Sequence, residues 1–171
     1  MVSTLWLFLS AILALGQLMV AAQTDWLVHG PYHQGLYAVC YFADCSFRFN
    51  ALSLVILGSF FLGTVAMCIS VVFAMPFAMF TNLSRPIEIA ANIQLLAAVL
   101  TGFALLAVPF DMSSIYCTAH QLLRSADNCR IGWSYAIACI VGLVSMCCPV
   151  MARLVADHRK CYFVNTHRLI I

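Results

Sequence analysis

The chain has 171 residues, of which 64% are hydrophobic and only 8% charged, with a formal net charge of +2. Soluble globular domains carry about 25% charged residues, and a chain this small has too much surface to hide the deficit. The composition excludes an ordinary soluble enzyme, a disordered tail and a nucleic-acid-binding domain.

Asp, Glu, Lys, Arg and His are all missing from residues 1–24, 49–84, 89–110 and 131–152, which predicts an integral membrane protein with four spans. The first is Leu5 to Ala22. Val20-Ala21-Ala22 also has the form of a signal-peptide cleavage site, but no Lys or Arg precedes the apolar run, which favours a retained span. Stretch 49–84 would make about 54 Å of helix, too long for one crossing of a ~30 Å hydrocarbon core. Pro76 and Thr81-Asn82-Leu83-Ser84 mark its exit, giving a second span over Ala51 to Ala74 with Met75 to Phe80 at the interface. The third span, Ile89 to Val108, is stopped by Pro109 and Asp111. The fourth, Ile131 to Ala152, carries Pro149 in its last turn and is stopped by Arg153. Two loops, 23–50 and 109–130, then share one side. Residues 1–155 form one four-span domain, followed by a short basic tail, 156–171.

Basic residues near span ends set the orientation. Arg85, Arg153, Arg159, Lys160 and Arg168 share one side, against Arg48, Arg124 and Arg130 on the other. This bias places both termini in the cytoplasm and the two loops outside. Of nine cysteines, Cys40 and Cys45 fall in the first outer loop and Cys117 and Cys129 in the second. An even number on the oxidising side suggests structural disulfides, with three pairings open. Cys68, Cys139, Cys147 and Cys148 are in spans, where small packing residues are the ordinary role. Cys147, Cys148 and Cys161 near the cytoplasmic end are candidates for palmitoylation.

Lipid supplies no hydrophobic drive between helices, so association needs close packing and a few polar contacts. Small residues four apart occur as Ser59/Gly63, Ala97/Thr101, Ala98/Gly102, Gly132/Ala136 and Ala138/Gly142. Gln17, Asn92 and Gln94 are expected to face protein. No span carries a charge, which argues against a pump, and no internal repeat supports a transporter.

The first outer loop is strongly aromatic, with Trp26, Tyr32, Tyr37, Tyr41, Phe42, Phe47 and Phe49. Leu36 to Cys40 reads as a strand that Tyr41 to Asp44 turns back. Trp26, Gly35-Leu36, Cys40 and Cys45 resemble the first-loop signature of the claudin and peripheral-myelin tetraspans, with Tyr37 where that family has a second Trp. The loop is about half the length of a sealing claudin's and its cysteines are closer together, which counts against a paracellular barrier. Gly35-Leu36-Tyr37, and Cys129-Arg130-Ile131-Gly132-Trp133-Ser134-Tyr135 at the start of span four, more closely resemble the lipoma HMGIC fusion partner-like tetraspans. That resemblance implies a left-handed, all-α four-helix membrane bundle with a small extracellular β-sheet cap. It further implies an auxiliary subunit that organises a channel or receptor.

A cell-junction or adhesion component of claudin type is the leading alternative. A quinone-linked thiol-disulfide oxidoreductase would need a reactive dithiol, normally Cys-x-x-Cys, whereas four residues separate Cys40 from Cys45. A zinc site on His29, His33, Cys40, Asp44 and Cys45 is disfavoured by Gly30-Pro31. The Asn82-Leu83-Ser84 sequon should stay unmodified on the cytoplasmic side. Basic residues of the tail, His158-Arg159-Lys160 and Arg168, suit anionic lipid headgroups. With no Ser/His/Asp set, carboxylate pair or phosphate-binding Gly loop, the chain is expected to be non-enzymatic, without cofactor, metal, small-molecule substrate or nucleic acid. Its expected partners are an integral membrane protein or its own kind, and the bilayer.

Overall fold

A computed structural model describes residues 2–41, 44–47, 50–80, 84–112 and 129–168, with side chains at all of these except 112, 129 and 161–168. In chain order the elements are α1 (Val2–Ala21), β1 (Leu27–His29), β2 (Tyr32–Gln34), β3 (Ala38–Tyr41), β4 (Asp44–Phe47), α2 (Ala51–Phe80), α3 (Arg85–Met112), β5 (Cys129–Ile131), α4 (Trp133–Ser145) and α5 (Cys148–Arg168). Among the described residues, four helical stretches are long and apolar enough to cross a membrane: α1, α2, α3, and α4 continued into α5. The chain is a multi-pass membrane protein. Leu5, Phe61, Leu62, Val72, Leu106 and Leu154 point outward around the bundle, as lipid-facing side chains should.

Three of the expected span ends differ, and all three involve proline. Helix α2 continues through Pro76 to Phe80. Proline removes one helical hydrogen bond but does not forbid the next turn when other groups satisfy the freed carbonyls. At the end of the helix Arg159 reaches back from α5 and donates to the orphan carbonyls of Phe77 at 3.1 Å and Ala78 at 2.9 Å, a side-chain cap on the last turn. Helix α3 likewise passes Pro109 and ends at Met112. Its extra turn is tied to the start of α2, because Ser53 Oγ donates to the buried Asp111 carboxylate at 2.8 Å.

Span four is interrupted earlier than expected. Pro149 lies in the first turn of α5, not in a last turn, and its ring would clash with the carbonyl four residues back, that of Ser145. The helix accordingly ends at Ser145, tightens through Cys147 N–H to Val144 O at 3.0 Å, and restarts at Cys148. It then runs to Arg168, through the segment expected to be a tail.

Close packing occurs at the small residues. A Cβ on Gly63 would come 2.7 Å from the Thr101 methyl and 3.0 Å from the Ala97 carbonyl, so α2 and α3 meet almost backbone to backbone. The bundle interior also holds a polar contact chain. Trp6 Nε1 donates to Gln94 Oε1, and Gln94 Nε2 donates to Ser10 Oγ, both at 3.2 Å. Gln17 is buried too, whereas Asn92 is exposed at the end of the bundle.

The strands form one antiparallel sheet in the order β4-β3-β2-β1-β5. Gly30, at φ +57°, starts the two-residue connection between β1 and β2, where a left-handed residue matches the strand twist. β5 comes from the second loop and pairs with β1, so both loops build one cap.

Candidate functional site

The site is the joint where the cap meets the bundle. Trp26 follows α1 by one short turn and is 1% exposed. Its indole N–H donates to the Val20 carbonyl at 3.0 Å, which also accepts Gln23 N–H at 3.2 Å, so Trp26 is tied to the end of α1. Its ring stands edge-on to Phe60 of α2 at 5.5 Å and tilted to Tyr135 of α4 at 5.9 Å. One side chain therefore ties α1, α2 and α4 together, and such ring pairs add about 0.5–1.5 kcal/mol beyond their buried area. Tyr135 in turn donates to the Leu105 carbonyl of α3 at 3.0 Å.

Asp25, one residue earlier, works on polar contacts. Oδ2 accepts the indole N–H of Trp133 at 3.0 Å, Oδ1 lies 2.7 Å from His33 Nδ1, and the main-chain carbonyl accepts Ser134 N–H at 3.3 Å. The carboxyl is held below its ordinary value, first by the Trp133 hydrogen bond and then by His33, with partial burial opposing them. Gly132 is required beside it, because a Cβ there would collide with the Asp25 carbonyl oxygen. Gly35 makes a similar approach, its Cβ position 3.0 Å from the Gln23 carbonyl and from Thr24 Cα.

The remaining motif residues fall around this joint. Leu36 is buried in the same cluster as Trp26 and Phe60, with Tyr37 packed against it. Tyr37 OH donates to the Ala22 carbonyl at 3.2 Å. Cys40 and Cys45 are directly opposite on β3 and β4, 4.0 Å apart at Cα, and are joined by a disulfide. Cys117 and the Cys129 side chain lie outside the described residues, as do Arg48, Arg124, Asn82 and the Cys161 and Arg168 side chains.

His29 and His33 are on neighbouring strands, but His33 turns to Asp25 and the two cysteines hold each other. Among the described residues no three His, Cys, Asp or Glu gather as a metal site. At the other end, Cys147 is exposed at the helix break, while Cys148 is wholly buried. An acyl chain on Cys148 would have to displace that packing.

Directly opposed residues on antiparallel strands share a face. Ala38 and Cys40 on β3 are buried, and their partners Phe47 and Cys45 lie on the same face. All of β4 is nevertheless exposed, and Phe47 is 69% so. β4 is thus an edge strand of the cap, and Phe47 is an exposed aromatic on it with its ring 6.3 Å from Tyr37.

The sequence marks Trp26, Gly35 and Trp133 but does not reveal Asp25 or His33, whose partners are up to 108 residues away. The available signal is Asp25 itself, a charge immediately beyond an apolar run and next to a tryptophan. No model of a known protein family and no curated protein matches the chain.

Proposed function

We propose that the protein is a non-enzymatic four-span protein of the plasma membrane, with both termini cytoplasmic and the cap outside. It organises a partner membrane protein, such as a channel or receptor, as an auxiliary subunit. The resemblance to the lipoma HMGIC fusion partner-like tetraspans leads to this reading, and the observation that supports it is the exposure of Phe47 on the edge strand of the cap.

A large aromatic side chain exposed on the edge strand of the cap suits contact with a protein partner. Large exposed aromatics in such positions are typical binding anchors. The joint of Trp26, Asp25 and Trp133 ties the cap to the spans, so the cap can meet a partner with little ordering cost.

Mixed cultures separate this reading from a claudin-type junction protein. Cells expressing the tagged protein are grown against cells that lack it and against cells that express it. A lateral subunit gives the same surface distribution in both cultures. Enrichment only at contacts between two expressing cells would favour adhesion and overturn the proposal.

A further inference from the structure

At the end of the bundle away from the cap, α3 and α5 leave a cleft of about 220 Å³ between them, lined by Glu88, Asn92, Arg153, Asp157 and Lys160. Its depth follows from helix geometry. Trp133 and Arg153 are 20 residues apart, about 30 Å of helix, which is one hydrocarbon thickness. Asp111 and Asn92 bracket nearly the same length on α3. Arg153 and Asn92 therefore sit where acyl chains give way to headgroups.

The charges in the cleft are not equivalent. Lys160 is paired with Glu88 and lies 3.9 Å from Asp157. Arg153 has one hydrogen bond among the described residues, 3.3 Å to Asn92 Oδ1, and a guanidinium carries five N–H donors in a fixed fork. Asp157 stands at the rim with its side chain 71% exposed. The cleft thus offers a phosphate-binding fork at the hydrocarbon boundary and a carboxylate farther out. One turn deeper, Leu96 and Val150 are exposed on the same two helices, giving an acyl chain an apolar wall.

We infer that this cleft binds an aminophospholipid of the phosphatidylethanolamine type, with the lipid phosphate on Arg153 and its ammonium on Asp157. A headgroup carrying only negative charge would meet the Glu88 and Asp157 carboxylates. A choline headgroup has no N–H to donate to Asp157. A primary ammonium two carbons from a phosphate satisfies both ends, and the volume, about seven waters at ~30 Å³ each, is on that scale. The site sharpens the expectation of anionic-lipid contact by the basic tail, because Arg159 is turned inward to cap α2 and Lys160 is paired with Glu88. It is independent of the partner proposed for the cap.

The test is association of spin-labelled lipids with the full-length protein in phosphatidylcholine vesicles, comparing ethanolamine, choline and glycerol headgroups. Wild type should hold the ethanolamine lipid about threefold more strongly than the other two. Arg153→Gln should bring the ethanolamine lipid down to the choline level. Asp157→Asn, a change at an exposed rim, should move the preference to the glycerol lipid, and it decides the matter even if Arg153→Gln fails to fold. Excess soluble phosphoethanolamine should displace little of the bound lipid. Equal retention of all three lipids, a wild-type preference for the glycerol lipid, an unchanged preference in Asp157→Asn, or full displacement by phosphoethanolamine would each overturn the inference.

Discussion

The indole N–H of Trp133 donates to the carboxylate of Asp25 at 3.0 Å, joining the start of the fourth span to the residue that follows the first. The other carboxylate oxygen lies 2.7 Å from His33 Nδ1 in the sheet. One charged side chain at the edge of the bilayer therefore fixes two spans and the cap relative to one another. Asp25→Ala should cost about 1–3 kcal/mol, the usual penalty for removing a charged hydrogen-bond acceptor. Thermal unfolding followed by tryptophan fluorescence would measure it.

The pH dependence has a definite sign. Asp25 titrates below its ordinary value of 3.8, with the Trp133 hydrogen bond the largest cause. A depressed carboxyl contributes stability that is complete above the ordinary value and is lost as pH falls through the depressed one. Wild type should lose thermal stability as the medium is acidified below about pH 3.8. Asp25→Asn should lack that component while starting from a lower midpoint at neutral pH.

Two glycines offer a matched comparison. Gly132→Ala puts a methyl into the Asp25 carbonyl, a backbone group that cannot move aside without separating cap from span four. Misfolding and retention inside the cell are expected, with a loss at or above the ~1–3 kcal/mol of ordinary overpacking. Gly58→Ala, where nothing lies within 4 Å, should instead be neutral or stabilise α2 by up to about 1 kcal/mol. Surface expression and melting midpoints of the two variants would show the contrast.

The Cys40–Cys45 bond closes a short loop, so its chain-entropy contribution is limited to about 2 kcal/mol. Reduction should lower the melting midpoint of the cap and leave the helix content of the bundle intact by circular dichroism. A structural bond should also be inert to quinone. Quinone-dependent cycling of this pair would instead indicate thiol-disulfide oxidoreductase chemistry.

Cysteine accessibility gives a further check. A membrane-permeant maleimide should label Cys147, which is exposed, and spare Cys148, which is wholly buried. Acyl-exchange labelling should likewise be unchanged by Cys148→Ser. A drop in acylation in that variant would mean that α5 moves away from its packing in the cell.

The four spans were legible because the sequence signal for lipid is a missing charge, and absence over twenty residues is hard to imitate. The Cys40 hairpin was legible for a similar local reason, with β-prone residues flanking a short turn. Pro76 and Pro109 do not end their helices, whereas Pro149 breaks its helix a turn before its own position, and distant contacts rather than local sequence hold the turns beyond the first two. Arg159 caps α2 from 82 residues away, and Ser53 anchors Asp111 from 58 away. Asp25 and His33 were hidden for the same reason. Nothing in residues 25–33 indicates that Trp133 will arrive beside them.

Site-specific photocrosslinking from position 47 tests the lateral role of the cap most directly. A photoreactive residue replacing Phe47 in intact cells should give a discrete adduct with an integral membrane protein of the same cell, a second copy included. The same group at position 46, on the opposite face of β4, should not. Adducts from position 46 but not 47, or adducts from 47 that form only with proteins of an adjoining cell, would contradict it.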